Sequence, residues 1–221
     1  MIEPPSPEEA LYTALLMIWV LFVSLVLTRW TYRAMIRRGL SEHVAVYFNR
    51  KIIHILAGGL VAMLVPLLYE SYVLILVMVL ILAIGNYYPH RTGKLYYWYQ
   101  VKENMFEVHF IVMWGLVMLF GFLVGNKWLG VVPIMFMSVG DGVTGIVRNL
   151  LYKRRTKAFV GNLAMMAFCI PFGYAILGQV GAIAGFLASL AEKLEVGWLD
   201  DNITVPLISL STVTLLPILQ I

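Results

Sequence analysis

Long, uninterrupted apolar runs dominate this chain, and short polar segments separate them. The runs lie near residues 10–28, 52–69, 71–88, 105–125, 128–148, 158–177, 179–192 and 203–220. A helix needs about 20 apolar residues to cross the hydrocarbon of a bilayer, whereas a barrel strand needs about ten residues of alternating polarity. The pattern therefore predicts an all-α, polytopic transmembrane helical bundle of about eight spans. The seventh run is short and rich in glycine and alanine, so the predicted number is seven or eight.

The composition supports an integral membrane protein and excludes several other classes. Of the 221 residues, 61% are hydrophobic and 13% are charged, whereas soluble domains carry about 25% charged residues. The single cysteine, Cys169, excludes an intrachain disulfide and argues against a thiolate metal cluster. We predict one integral-membrane domain over residues 1–221. Residues 1–9 lack the basic segment of a cleavable signal peptide and are predicted to form an N-terminal tail outside the cytoplasm.

Basic residues occur in alternate loops of the predicted bundle. They are Arg29, Arg33, Arg37, Arg38, Arg50 and Lys51 after the first run, Arg91, Lys94 and Lys102 after the third, and Arg148, Lys153, Arg154, Arg155 and Lys157 after the fifth. Because positively charged loops remain in the cytoplasm, we expect these loops inside and the N-terminus outside. With eight spans, the polar segment 192–202 also lies inside. All the polar clusters then lie at the cytoplasmic face of a multi-pass protein, in the plasma membrane if the source is prokaryotic.

The first polar cluster is the sequence NRKIIH, residues 49–54. Arg50 and His54 are four residues apart and Lys51 and His54 three apart, so all three share one broad face of a helix. One interpretation is that the cations simply anchor a helix end by extending toward the membrane surface. However, cations at a helix N-terminus oppose the helix dipole. We therefore expect an anion to complete this group.

The second cluster is centred on an acid in the sequence SVGDGVTGIVRN, residues 138–149. Asp141 lies there between Gly140 and Gly142 at the end of an apolar run. A carboxylate at membrane depth costs at least about 2.5–3.5 kcal/mol, so Asp141 should face a polar cavity, a cation or a metal ion. The two glycines allow a ligand to approach the backbone closely, or they are small-residue contacts between helices.

The third cluster is the sequence KRRTKAFVGN, residues 153–162, which leads into the sixth run. Lys157 and Gly161 share a helix face and suit a phosphate near a helix N-terminus, with Asn162 beside them. The alternative is ordinary charge that sets the orientation of the helices in the membrane.

The fourth cluster is the acidic turn before the last run. Asp200, Asp201 and Asn202 offer the hard oxygen ligands that Mg²⁺ prefers. The alternative is that Asp201 or Asn202 caps the eighth helix. An acidic turn nevertheless departs from the basic character of the neighbouring loops, which favours a metal or nucleotide role.

Carboxylates, cations and glycines thus converge at one mouth of the predicted bundle. Phosphoryl transfer uses this combination, because it needs charge stabilisation more than covalent chemistry. The sequence contains neither GxxxxGK[ST] nor GxGxxG, so a nucleotide site must be of another design. Glu103 and Glu107 at the start of the fourth run are weaker candidates, since we expect them to pair with Lys102 or Arg91.

Four motifs in this order resemble the polyprenol kinase family. That family includes dolichol kinase, phytol kinase and the CTP-dependent diacylglycerol kinases, and it is distantly similar to phosphatidate cytidylyltransferases. The corresponding residues are Arg50, Lys51 and His54 for an Arg-Lys-x-x-His opening; Gly140 and Asp141 for a Gly-Asp pair; 157–162 for the CTP-binding loop; and Glu192 or Glu195, Asp201, Asn202 and Pro206 for the late acidic motif. The chain departs from the family at Val160, where members carry Glu, and at Asn162, where they carry Ser or Thr.

The resemblance implies a kinase that uses CTP and Mg²⁺ to phosphorylate a membrane-embedded lipid alcohol of the polyprenol or dolichol type. The four clusters and the resemblance together predict three sets of site residues. The metal set is Asp141, Asp200 and Asp201; the nucleotide and phosphate set is Arg50, Lys51, Gly140, Gly142, Lys157, Gly161, Asn162 and Asn202; and the catalytic set is Asp141, His54 and Lys51. Secondary candidates are Glu192, Glu195 and Glu107.

Three other functions remain open at this point. A phosphatidate-type cytidylyltransferase would use the same groups but attack the α-phosphate and release pyrophosphate. A transporter would distribute polar residues through the depth of the membrane, whereas here they collect at one end. A purely structural scaffold does not explain Asp141.

Overall fold

The computed structural model describes residues 4–154, 156–194 and 199–219, and it is helical throughout the bundle. Seven helices in that part of the chain are long and apolar enough to cross a membrane. They are α1 (Pro7–Arg37), α2 (Glu42–Leu68), α3 (Val73–Thr92), α4 (Phe106–Leu123), α5 (Trp128–Tyr152), α6 (Phe159–Ala191) and α7 (Asp201–Leu219). The predicted fold class, a polytopic helical bundle, is confirmed.

The long helix α6 folds back on itself at Gly178. This residue has φ 62° and ψ −145°, outside helical geometry. A side chain at Gly173 would collide with the backbone of Gly181, so the two halves of α6 lie in contact. A straight helix of this length would separate its ends by about 50 Å, yet Lys157 Nζ lies 2.7 Å from the carbonyl oxygen of Glu192. Residues 159–177 and 179–191 therefore form two antiparallel legs, as the two apolar runs predicted.

Two helices extend beyond their apolar runs. Helix α1 has 31 residues and continues to Arg37, and α2 has 27 residues and begins at Glu42. Arg50, Lys51 and His54 therefore lie well inside α2. Their predicted position at a helix N-terminus, and the argument from the helix dipole that rested on it, are wrong. Helical geometry continues through these polar residues because neighbouring helices cover them, a signal that hydropathy does not carry.

The predicted N-terminal tail is shorter than nine residues, because α1 begins at Pro7. Ser6 caps the helix by accepting the backbone N–H of Glu9, and the Glu9 carboxylate accepts the backbone N–H of Ser6 in return. Glu9 Oε1 also accepts the backbone N–H groups of Glu70 at 2.6 Å and Ser71 at 2.8 Å. The first turn of α1 thus holds the loop between α2 and α3 at the end of the bundle opposite the predicted site.

Helix α5 lies at the centre of the bundle and positions Asp141. In an apolar stretch of 18 residues in α5, 78% of the residues are buried, compared with 17% in the corresponding stretches of α1 and α3. Three helices contain a π-helical segment, namely residues 22–27 in α1, 54–59 in α2 and 136–140 in α5. The segment in α2 begins at His54, and the one in α5 ends immediately before Asp141. Such segments are frequent at functional sites, and these two face each other in the core.

Candidate functional site

Asp141 contacts two residues of the first polar cluster. Its Oδ2 lies 2.5 Å from Lys51 Nζ and 3.1 Å from His54 Nδ1, and all three side chains are buried. The stem of Lys51 fits against Gly145, where a Cβ would collide with it. The His54 ring stacks on Phe110 with a centroid distance of 4.1 Å. Asp141 is therefore the anion expected to complete the first cluster, and Lys51 is the cation expected beside Asp141.

Arg148 forms the second ion pair of the site, in a position that differs from the predicted one. We grouped it with the loop cations, but it lies in α5 and is 1% exposed. Its Nη1 and Nη2 donate to the two carboxylate oxygens of Glu192 at 2.6 and 2.8 Å, and its Nε donates to the carbonyl of Ala158 at 2.9 Å. The available signal was spacing, since Asp141, Gly145 and Arg148 follow one face of a helix.

The third cluster converges on the same carboxylate. Lys157 Nζ donates to Glu192 Oε1 at 2.8 Å and lies 3.4 Å from Asp201 Oδ2. Asn162 Nδ2 donates to the carbonyl of Ser189 at 2.6 Å and lies 3.3 Å from Glu192 Oε2. Lys157 and Asn162, predicted to bind phosphate, are thus brought to the site and hydrogen-bonded there to protein oxygens.

Protein side chains occupy the space in front of the three glycines predicted to contact nucleotide. A Cβ at Gly140, Gly142 or Gly161 would lie less than 3 Å from a neighbouring side chain. Those neighbours are Cys169, Ile55 and Arg148, in that order. The glycines therefore serve close packing between helices, and a nucleotide would reach their backbone only if those side chains moved.

Three buried carboxylates meet at the centre of the site. Asp141, Glu192 and Asp201 each offer an oxygen, and these atoms all lie within 4.8 Å of one another. Within the described residues, Asp141 Oδ1 and Asn202 Oδ1 are buried without a hydrogen-bond partner. Mg²⁺ binds oxygen ligands of this kind, so the donor set fits a divalent cation. Glu195, the alternative to Glu192, lies outside the described residues.

Cations surround these carboxylates closely. Lys51, Arg148 and Lys157 each lie within 3 Å of a carboxylate oxygen of the cluster. Burying a charge without a partner is costly, and here each acid has a basic neighbour. The charges of the three carboxylates and the three basic groups therefore balance. A bound cation would share the carboxylates, and its anionic ligand would share the basic groups.

Asp200 lies apart from the three carboxylates and has a different role. Its Oδ1 accepts the backbone N–H of Asn202 at 3.0 Å, and its Oδ2 lies 2.8 Å from His109 Nδ1. Asp200 therefore caps α7, so the alternative cap by Asp201 or Asn202 is wrong. Burial raises the pKa of the Asp200 carboxyl above its ordinary value, and the hydrogen bond with His109 opposes that rise. Glu192 occupies the place in the cluster that we assigned to Asp200.

Glu107 pairs with a residue other than those expected. Its Oε1 lies 2.5 Å from His90 Nε2, so the predicted pairing with Lys102 or Arg91 is wrong. Helix α4 turns Glu107 toward α3, where His90 lies in the last turn of the helix. In the part of the chain that the structure covers, Glu107 Oε2 is buried and accepts no hydrogen bond.

Two cavities lie close to the cluster without being lined by its carboxylates, and Arg50 lines both. The first, the polar cavity, has a volume of about 880 Å³ and opens at the end of the bundle that carries the basic loops. Its wall includes Tyr47, Arg50, Tyr97, Lys102, Phe106, Asn149, Lys153 and Arg154. Tyr47 separates it from the buried cluster, since Lys51 Nζ lies 5.1 Å from the centre of the Tyr47 ring. The second, the apolar cavity, lies among α1, α2, α3 and α4.

The arrangement combines oxygen ligands for a divalent cation with basic groups suited to phosphate and an adjoining apolar space. Metal ligands and basic groups of this kind are used in phosphoryl transfer. Comparisons with protein-family models, with curated proteins and with solved structures yield no match to this chain. The resemblance to polyprenol kinases therefore stays a prediction from motifs.

Proposed function

We propose that this protein is a membrane-embedded kinase that transfers a phosphoryl group from a nucleoside triphosphate to the hydroxyl group of a lipid alcohol. The motif resemblance favours CTP as the donor and a polyprenol-type alcohol as the acceptor, at the cytoplasmic face. One observation carries the proposal: side chains next to the buried carboxylate cluster reach both cavities, because His54 contacts Asp141 and lines the apolar cavity, and Arg50 lies in the walls of the polar and the apolar cavity.

The carboxylate cluster would hold the metal. Asp141, Asp201 and Glu192 are the ligands that the geometry favours. Asn202 follows Asp201 in the chain. When bound, Mg²⁺ supplies positive charge to the phosphate oxygens. Lys51, already 2.5 Å from Asp141, is available to bind a phosphate oxygen when the metal shares that carboxylate.

The polar cavity would bind the nucleotide. Its volume of about 880 Å³ lies within the range of known small-molecule sites. Arg50, Lys102, Lys153 and Arg154 line it and supply donors for phosphate oxygens, with arginine suited to bidentate contacts. Glu42 and Glu103 also line it, so basic residues outnumber acidic ones in its wall. The chain lacks a Walker A sequence, so side chains rather than a glycine-rich loop would make these contacts.

The proposal is tested by following the phosphoryl group. Purified protein in lipid nanodiscs receives Mg²⁺, CTP labelled at the γ-phosphate, and a polyprenol. We expect labelled polyprenyl monophosphate together with CDP. Release of pyrophosphate with a cytidylylated lipid would instead establish a cytidylyltransferase. Absence of transfer from ATP, CTP, GTP and UTP to a panel of polyprenol, phytol and diacylglycerol acceptors would refute the proposal.

A matched variant distinguishes loss of chemistry at the carboxylate cluster from general loss of protein stability. Glu70→Gln changes an acid to its amide at the opposite end of the bundle, where the Glu70 side chain is 79% exposed. We expect this variant to retain the activity of the wild-type protein. Its loss of activity would mean that the assay reports general stability rather than chemistry at the carboxylate cluster.

A further inference from the structure

The apolar cavity has a hydrophobic body and a polar end. Most of its wall is aliphatic or aromatic, and its volume is about 70 Å³. The apolar lining includes Val20, Val61, Met78, Leu82, Ile111 and Trp114. The polar residues that line it are Ser24, Arg50, His54, Asn86, Tyr99 and Glu107. A space of this kind suits a molecule with one polar end and a hydrocarbon chain.

Two polar atoms at this end are not satisfied by the protein. Glu107 and Arg50 are each 7% exposed, and among the residues described Glu107 Oε2 and Arg50 Nε have no hydrogen-bond partner. Leaving a buried polar group unpaired destabilises the folded state, and the cost is greater for a charged group. The neighbouring pair is already satisfied, since Tyr99 donates its hydroxyl to Asn86 Oδ1 at 3.0 Å. A ligand that donates a hydrogen bond would relieve the cost at Glu107.

Helix α4 connects this end of the cavity to the carboxylate cluster. Phe110, one turn after Glu107, stacks on His54, and His54 contacts Asp141. Phe106 immediately precedes Glu107, and the centre of its ring lies 3.9 Å from the guanidinium carbon of Arg50. Glu107 is therefore flanked in α4 by Phe106 and Phe110, which contact Arg50 and His54, and both of those residues line the apolar cavity.

We propose that the apolar cavity binds the head end of the acceptor alcohol and that the alcohol hydroxyl donates its hydrogen to Glu107 Oε2. This inference rests on the proposed kinase function. His90 holds the other carboxylate oxygen and so fixes the orientation of Glu107. In the reaction the hydroxyl oxygen bonds to the terminal phosphorus of the nucleotide. The bond from that phosphorus to the bridging oxygen breaks with its electron pair, and the hydroxyl proton passes to Glu107 Oε2.

The volume of the apolar cavity limits the part of the alcohol that it can hold. One water needs about 10–15 Å³ of such space, so about 70 Å³ holds the first few carbons of a chain and not a long polyprenyl tail. The remainder of the tail would lie among the membrane lipids. The site therefore selects for the hydroxyl and the carbons next to it, and it accepts tails of different length.

The test uses binding, so that it does not depend on turnover. The probes are a C20 primary isoprenoid alcohol with a diazirine near its hydroxyl and the methyl ether of the same compound. We expect the alcohol to label the cavity-facing residues of α2, α3 and α4 and to bind at least tenfold more tightly than the ether. Equal affinities of alcohol and ether, or labelling confined to the outer surfaces of the helices, would overturn the inference.

Two tryptophan variants on one helix provide a matched comparison. Leu82→Trp fills the apolar cavity, whereas Leu80→Trp adds the same ring on the outer surface of α3, where Leu80 is 59% exposed. We expect Leu82→Trp to weaken binding of the alcohol probe at least tenfold and Leu80→Trp to leave it unchanged. The same effect in both variants would overturn the assignment of the cavity.

Glu107→Gln separates proton acceptance from binding. The amide keeps an oxygen that accepts the hydroxyl hydrogen bond but does not take up the proton, so kcat should fall about 100-fold or more while alcohol binding changes little. An unchanged kcat would remove Glu107 from the reaction. Specific alcohol binding without phosphoryl transfer in the wild-type protein would refute the kinase proposal, and it would leave the alcohol site supported.

Discussion

The ion pair between Asp141 and Lys51 allows a structural role to be separated from a catalytic one. Both side chains are 2% exposed, and their charged atoms lie 2.5 Å apart. Asp141→Asn removes the negative charge and leaves the ammonium group of Lys51 buried. Breaking a buried pair in this way costs about 3–5 kcal/mol, a large part of the roughly 5–15 kcal/mol that stabilises a typical protein. We therefore expect a folded but clearly destabilised variant.

The double variant Asp141→Asn with Lys51→Met removes both charges. Replacing a buried pair with uncharged groups is often neutral or stabilising, so most of the lost stability should return. Phosphoryl transfer should remain absent in both variants, because the proposed metal ligand is missing in each.

Two measurements on the same samples check this expectation. Denaturant unfolding in mixed micelles gives the free energy of unfolding, and the labelled-CTP assay gives turnover. Glu70→Gln serves as the control, because its surface ion pair with Lys127 is expected to contribute no more than about 1 kcal/mol. A loss below about 1 kcal/mol in Asp141→Asn would refute the reasoning about the pair. Normal turnover in the double variant would remove Asp141 from the metal site.

Two further predictions concern the scaffold of the site. Arg148→Met removes the bidentate partner of the Glu192 carboxylate, which keeps its ion pair with Lys157, and should lower the free energy of unfolding by about 1–3 kcal/mol in the same unfolding assay. The exposed Arg37→Met should stay within about 0.5 kcal/mol of wild type, and equal effects would contradict this account. Gly178→Ala places a side chain in a glycine-favouring conformation and should cost about 1–3 kcal/mol by thermal unfolding. Wild-type stability in that variant would show that the hairpin turn tolerates a Cβ.

Much of the architecture could be predicted because hydropathy reports burial in lipid directly. The apolar runs predicted a polytopic bundle, and the break between residues 177 and 179 matches the turn at Gly178. The same signal misjudged the ends of α1 and α2. These helices continue into polar sequence, and their helical state there depends on contacts with neighbours rather than on lipid.

The site could be predicted in part because a buried charge is conspicuous in an apolar helix. Asp141, Lys51 and His54 are brought together, and so are Lys157 and Asp201. The partners of individual groups were not predictable, since a sequence carries no distances between helices. Glu192 rather than Asp200 therefore joins the cluster, and Arg148 lies in the core rather than in a loop.

The π-helical segments in α2 and α5 make the site depend on helix register. Each segment contains one residue more per turn than an α-helix, so it rotates the half of the helix that follows relative to the half that precedes it. Removing one residue from either segment would restore regular geometry and turn one half by about 100°. Such a chain would keep its hydropathy and its number of crossings but would direct Asp141 or His54 away from the other. Membrane insertion and assembly of the polar centre are thus specified by separate properties of the same helices.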